Sequence, residues 1–293
     1  MTKQGLRTFL SGILATLLLA TAMAAAWQGK PPRPDLPANP QELVRQMSAN
    51  ELNRKDRPFL TYRYTRIRPD RKEERQMVET DQLLLGRIMA VDGQPLTPEE
   101  SAQEDRRLAR LIQHPDELHE KQKEQQEEDE RIRRVIRALP DGFLYEYGDL
   151  RQGPSGDVVT VKFKPNPKFE PQSRETQAFL GMAGSMEIAL PARRLSRLQA
   201  TLIQDIGFGW GILGKLNRGG ELLIEQAPLE NGRWMTRRMK LNFTGRVLIF
   251  KTLKVDLDQF TSHYRPVSGM TVAQGIAFLK KVDQEVADKD PTQ

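Results

Sequence analysis

Residues 233–260, RWMTRRMKLNFTGRVLIFKTLKVDLDQF, alternate between apolar and polar side chains over most of their length. Met235, Met239, Leu241 and Phe243 fall on one side, opposite Trp234, Arg238, Lys240 and Asn242. Farther on, Leu253, Val255 and Leu257 oppose Lys254, Asp256 and Asp258. A period of two with a single apolar side describes strands that are dry on one face and wet on the other, as in an antiparallel sheet. Two long strands are predicted, over 234–244 and 247–260.

The same pattern extends outward. Leu222 and Ile224 mark a strand over 221–226, Leu198, Ala200 and Leu202 another, and Met186, Ile188 and Leu190 a third. Strands over 143–150 and 158–163 flank a Gly153-Pro154-Ser155-Gly156 turn. Nearer the amino terminus, Leu60, Tyr62 and Tyr64 share a face, and 77–91 reads as one strand ending in the tight-turn pair Asp92-Gly93. Helices punctuate this β-rich chain. Asn39-Pro40-Gln41-Glu42 reads as a capping box ahead of Leu43, Val44 and Met47, and Thr97-Pro98-Glu99-Glu100 reads the same way. The second opens a helix with Leu108, Leu111 and Ile112 on its stripe, stopped by Pro115, and a further helix runs from about 116 to 138. A final helix from about Thr271 carries Val272, Ile276, Leu279, Val282 and Val286.

Within the insertion 97–139, residues 119–131 (HEKQKEQQEEDER) contain no apolar side chain. A helix that is polar all round cannot enter a core, so a solvated arm is predicted. A partner-binding arm or a lid is the sharper reading.

The ends and the composition bound the function. Lys3 and Arg7 precede an apolar run over 9–23 and the small residues Ala22 to Ala26, the pattern of a secretory signal over 1–26; an uncleaved anchor is the rival reading. Residues 27–40 form a proline-rich linker, 41–287 the domain, and 288–293 a disordered tail. No cysteine follows the apolar run, which excludes an amino-terminal lipid, and none occurs elsewhere, so the core alone must hold the fold. Losing Lys3 and Arg7 lowers the formal charge from +6 to +4, too mild to point to nucleic acid. These features place the chain in the periplasm.

Candidate sites are few. Gly209-Trp210-Gly211-Ile212-Leu213-Gly214 matches a dinucleotide fingerprint, but Gly219 and Gly220 follow so closely that no helix can open behind it. Phe208, Trp210, Ile212 and Leu213 among these glycines read either as a hairpin bend packed into the core or as an apolar flap. His114 and His119 lie five apart across Pro115, on different helix faces, and His263 has a neighbouring hydroxyl but no identifiable third partner. No G-x-S-x-G, H-E-x-x-H or cysteine nucleophile occurs, so neither catalysis nor a cofactor or metal is predicted.

The strands LQATLIQDIGFGW (198–210), GGELLIEQ (219–226) and 233–260, with Tyr62-Arg63-Tyr64 and the Val91-Asp92-Gly93 turn, resemble the lipoprotein-carrier superfamily. That superfamily comprises the LolA/LolB-like and RseB-like periplasmic proteins, and the likeness is nearest to bacterial outer-membrane lipoprotein-sorting homologues. The resemblance implies an α+β, mostly antiparallel fold: a strongly curved, unclosed half-barrel sheet wrapped around helices, with an apolar cavity for acyl chains. The charged insertion 97–139 departs from the best-known carriers. Met186, Leu222, Ile224, Met239, Leu241 and Phe243 are the candidate cavity lining, and Met182, Met186, Met235 and Met239 supply adaptable packing groups. Two functions from different classes follow. One is a non-catalytic carrier of a lipid, lipoprotein acyl chain or other amphiphile, with transient contact to a membrane surface. The other is an envelope interaction or stress-sensing module that binds a protein partner through the helical arm 97–139.

Overall fold

The computed structural model describes residues 36–53, 58–208, 214–247 and 251–289. The amino-terminal apolar segment lies outside the described residues, as do most of the linker and Trp210, Ile212 and Leu213. The helices among the described residues are α1 (Pro40–Leu52), α2 (Pro98–Gln113), α3 (Pro115–Gly142), the single turn α4 (Arg174–Gln177) and α5 (Val272–Lys289). The strands are β1 (Phe59–Arg68), β2 (Arg71–Glu79), β3 (Leu84–Val91), β4 (Gln94–Pro95), β5 (Phe143–Gly153), β6 (Gly156–Pro165) and β7 (Met182–Ala189). They continue with β8 (Arg194–Leu202), β9 (Ile206–Phe208), β10 (Gly214–Leu216), β11 (Glu221–Pro228), β12 (Trp234–Val247) and β13 (Lys251–Val267).

All these strands belong to one antiparallel sheet, ordered β4-β3-β2-β1-β13-β12-β11-β8-β7-β6-β5, with the β9–β10 hairpin joined to β12. The sheet is not closed, since β4 and β5 stand at opposite edges. The predicted turn Asp92-Gly93 closes the β3–β4 hairpin, both residues taking the positive φ (52° and 82°) that such a turn requires.

Partnered residues point to the same side of a sheet. Met186, Leu198, Ile224 and Met239 therefore share one face, and the pairing carries that face through Gln259 to Tyr64 and Tyr62 on β1. We call it the inner face. The outer face carries charge, including the ion pairs Arg151–Glu187, Arg197–Glu225 and Arg238–Asp258 at 2.6, 2.7 and 2.7 Å. Asp256, Asp258 and Lys254 lie on this wet side, as their alternation with Leu253, Val255 and Leu257 predicts.

Two distances reveal the curvature. From Gln125, which touches β3, to Phe143, which starts β5, helix α3 measures about 27 Å at 1.5 Å per residue. The same two strands are nine spacings apart along the sheet, or about 43 Å of contour at 4.8 Å each. The sheet must bend to bring its edges that near. Arg233, at the start of β12, also bonds Glu79 of β2 across the intervening β13 and β1.

The helices cover the ends of the sheet on opposite faces. Helix α1 buries Leu43, Val44 and Met47 and lies against β5, β8 and the end of α3. Beneath it the inner face is dry: Val161 and Met186 are fully buried and Leu198 and Ala200 nearly so. Arg194 of β8 pins its carboxyl end, donating to the Asn50 carbonyl at 2.6 Å and to Glu51 at 2.9 Å. At the other end, α2 and α5 pack on the outer face of β2 and β3, joining Val78 and Leu85 to Leu108, Leu111, Ile276 and Leu279.

Three expectations change. The strand predicted over 77–91 is two strands, broken where Thr80 turns the chain with a hydrogen bond to the Leu83 carbonyl at 2.8 Å. On β12 the register slips between Thr236 and Arg238, so one residue is bulged. That extra residue moves Met235 off the face of Met239 and brings Trp234 onto it. Stretch 119–131, expected to project as a solvated arm, is exposed except at Gln122 and Gln125, which tie it to Gln82 and to Leu84 at the start of β3. The Gln125 carboxamide accepts from the Leu84 N–H at 3.0 Å and donates to the Leu84 carbonyl at 2.8 Å, the two bonds a neighbouring strand would supply. Glu104 accepts from the Ile88 N–H at 3.1 Å and Arg107 donates to the Gly86 carbonyl at 2.7 Å.

Candidate ligand-binding face

Beyond the end that α1 covers, the inner face crosses β11, β12 and β13. Leu222, Leu241 and Leu257 are in register across these strands, and Phe243 stands opposite Val255. Ile224 and Met239 form the next row. All of these side chains are half-buried rather than sealed. No described helix packs extensively on β11, β12 or β13.

Five of the six predicted lining residues, Leu222, Ile224, Met239, Leu241 and Phe243, thus meet on this open stretch. Met186 shares the face but sits at its covered end, with no exposure. Leu253, Val255 and Leu257 complete the patch on β13; their alternation in the sequence was signal enough to have included them.

Glycines allow the close approaches. A Cβ on Gly220 would stand 2.3 Å from the Phe243 ring, and one on Gly245 would stand 2.1 Å from the Lys215 carbonyl oxygen. The second lets β10 lie tightly on β12, so that Ile206, Leu216 and Gly245 form another row of the same face. Of the predicted flap, Phe208 is half-buried on β9, and the other three residues lie outside the described residues.

Toward β1 the face changes character. The Tyr62 and Tyr264 rings stack with centroids 5.4 Å apart. The Tyr264 hydroxyl donates to the Thr236 carbonyl at 3.1 Å and touches the Thr261 hydroxyl. The Arg237 guanidinium lies 4.5 Å over the Tyr264 ring, and Arg66 lies 5.7 Å over Tyr64 while donating to its hydroxyl at 3.2 Å. Arg233 closes this end. It is held by Glu79 at 2.8 Å and the Pro58 carbonyl at 2.7 Å, while its Nε is buried with no hydrogen-bond partner in the described structure. Burial, and then the nearby Glu79 carboxylate, push the Tyr62 hydroxyl well above the ordinary tyrosine range. Burial raises Tyr264 too, against the lowering effect of its Thr261 contact and of Arg237.

This cluster was not foreseen. Two irregularities create it: the slip beside Arg237, and a second where His263 takes a φ of 52° against β1. The turned backbone also brings the Ser262 hydroxyl within 2.9 Å of His263 Nδ1. Among the described residues no carboxylate bonds that imidazole, so nothing there orients a base.

Two clefts lie elsewhere. One of about 580 Å³ runs between β3, α2 and α3, from Leu83 and Leu111 to Glu120 and Lys121. A second, about 350 Å³, is lined by charged and amide groups of α3 from Gln126 to Arg134. The six predicted lining residues border neither cleft.

No protein-family model matches the chain, and no curated protein matches it. Among solved structures, a domain from Vibrio parahaemolyticus, named as an outer membrane lipoprotein-sorting protein, aligns with it. The match spans 82% of this chain and 97% of that one, at 9% identity and a TM-score of 0.31. At that identity and score the likeness says nothing about what this chain binds.

Proposed function

We propose that this chain is a non-catalytic periplasmic carrier that holds the acyl part of a lipid, lipoprotein or other amphiphile on the inner face of β11–β13. One observation carries the reading: an apolar surface spans three adjacent strands of the inner face, half-open, beyond the end that α1 covers. Soluble monomers rarely leave such a surface without an occupant. Shielding a methylene gains about 0.8 kcal/mol, so a sixteen-carbon chain brings a gross gain on the order of 12 kcal/mol before ordering costs.

Export rests on the signal-like segment 1–26, outside the described residues. The rival reading, a partner-binding arm, is weakened because Gln122 and Gln125 of α3 already hold Gln82 and Leu84. Mass spectrometry of the organic extract from natively purified protein should find a co-purified amphiphile, and a pyrene-labelled fatty acid should bind with low-micromolar affinity. Leu241→Glu should abolish that uptake with the melting temperature little changed. A protein that purifies empty and takes up no probe would refute the reading.

A further inference from the structure

We propose that the Tyr62–Tyr264–Arg237 end of the inner face is a head-group subsite for an anionic amphiphile, with a carboxylate or phosphate head. The inference rests on the carrier reading above, with the tail lying toward Met239 and Phe243.

The ligand's polarity is matched along a single pair of strands. From Phe243 through Leu241 to Met239 the β12 side of the face is apolar, and then the bulge delivers Arg237 and Thr236. On β13, Val255 and Leu257 give way to Gln259, Thr261 and Tyr264. An acyl chain on the first stretch would put its head beside the second.

The sign of the head follows from charge. Arg237 has no carboxylate within ion-pair distance among the described residues; its contact is the Tyr264 ring. Arg233 is neutralised by Glu79, which leaves Arg237 and Arg66 as the excess charge there. Three tyrosine rings could in principle form a cage for a quaternary ammonium head. Here Arg237 and Arg66 already lie over two of those rings, so the cation sites are filled from within the chain. The Tyr62 hydroxyl has no hydrogen-bond partner among the described residues. Like any tyrosine it is protonated at neutral pH, and its burial disfavours the phenolate further, so it is a donor to an anion. An arginine that makes no hydrogen bond or ion pair among the described residues and a neutral hydroxyl form a set suited to a carboxylate or phosphate oxygen.

Four pyrene-dodecyl probes with one common tail test this on the full chain: carboxylate, phosphate, alcohol and trimethylammonium. The carboxylate or phosphate probe should bind about tenfold more tightly than the alcohol, an advantage that shrinks as salt rises. Arg237→Gln and Tyr62→Phe should each erase most of that advantage while leaving the alcohol's affinity unchanged. Whichever of the two anions gains more identifies the source of the head, a fatty acid or a phospholipid. Equal affinity for all four heads, or tightest binding of trimethylammonium, overturns the subsite while the carrier reading survives. If no probe binds at all, it is the carrier reading that fails.

Discussion

Phe243 owes its place to an absent methyl group. Its ring fills the space beside Gly220, where a Cβ would come within 2.3 Å, and that contact fixes one wall of the open face. Gly220→Ala should push the ring aside, costing about 1–2 kcal/mol by the logic of overpacking and weakening the probe's affinity as well. Gly184 offers the control. A Cβ there would meet the Gln199 carbonyl oxygen at 2.0 Å, a backbone atom that cannot swing away. Gly184→Ala should lower the urea midpoint more than Gly220→Ala and leave the affinity of the folded fraction untouched. Equal effects of the two on affinity would show that Phe243 does not shape the face. At this scale the sequence was half legible. Alternation alone selects Leu222, Ile224, Met239, Leu241 and Phe243, because period two reports which side a residue takes. It does not report how far along the face a helix lies, so Met186 could not be separated from the open residues. The polar end was hidden because the bulges break the period. One hint existed: Arg237 interrupts what would otherwise be an apolar side between Met235 and Met239.

The elements that surprise are the ones facing the edge of the sheet. β3 is apolar and would offer unpaired N–H and C=O groups, a template for another strand. Side chains of α2 and α3 occupy those groups instead. Arg87, 1% exposed, anchors the arrangement by bonding Ser101 Oγ at 2.7 Å and Asp105 at 3.2 Å. The amide of Gln125 is thus explained without a partner, since an amide can mimic a strand and an apolar side chain cannot, and the rest of 119–131 but Gln122 is exposed to water. From sequence this contact could not be read, because the acceptor of Gln125 lies 41 positions away and nothing local records it. By contrast, the Thr97 capping box was written in the chain and is present in full, Glu100 accepting from the Thr97 N–H at 2.8 Å. Deleting 100–137 removes these edge contacts together with the core residues Leu108 and Leu111, so the protein left should self-associate through β3 and the bared outer face, seen as a concentration-dependent rise in mass by light scattering. Gln125→Ala should cost only about 1–2 kcal/mol, since it strands one donor and one acceptor. A deletion variant that stays monomeric to high concentration would mean that the helices do not guard that edge.

At the scale of the whole molecule, a fold without disulfides depends on ionisable groups whose environments it alters, and these set the pH range it tolerates. Burial would raise the carboxyl of Glu104, but hydrogen bonds from Arg107 and the Ile88 N–H and the Arg107 charge more than offset it, leaving a net lowering. Glu73 is lowered by the same balance, with Arg75 and Arg71 prevailing over burial. A carboxyl lowered in the folded state binds its proton more readily when unfolded. Its contribution is therefore present above the unfolded value, 4.5 for both groups, and is lost as pH falls through the folded one. The tyrosines set the opposite flank. Burial, then Glu79, raises Tyr62, and burial, then Asp141, raises Tyr145, whose hydroxyl also bonds the Leu139 carbonyl. A raised tyrosine stabilises fully below its unfolded value of 10.0, and above it the unfolded chain gains by ionising first. The urea midpoint should then be level from about pH 5 to 9.5, falling below about 4.5 and again above about 10. Tyr62→Phe tests the assignment, because it keeps the ring stacked on Tyr264 but removes the group that titrates. Its alkaline limb should be shallower than the parent's while the acid limb is unmoved. An alkaline limb of unchanged slope would mean that burial does not raise the Tyr62 hydroxyl, and that other groups set the alkaline flank.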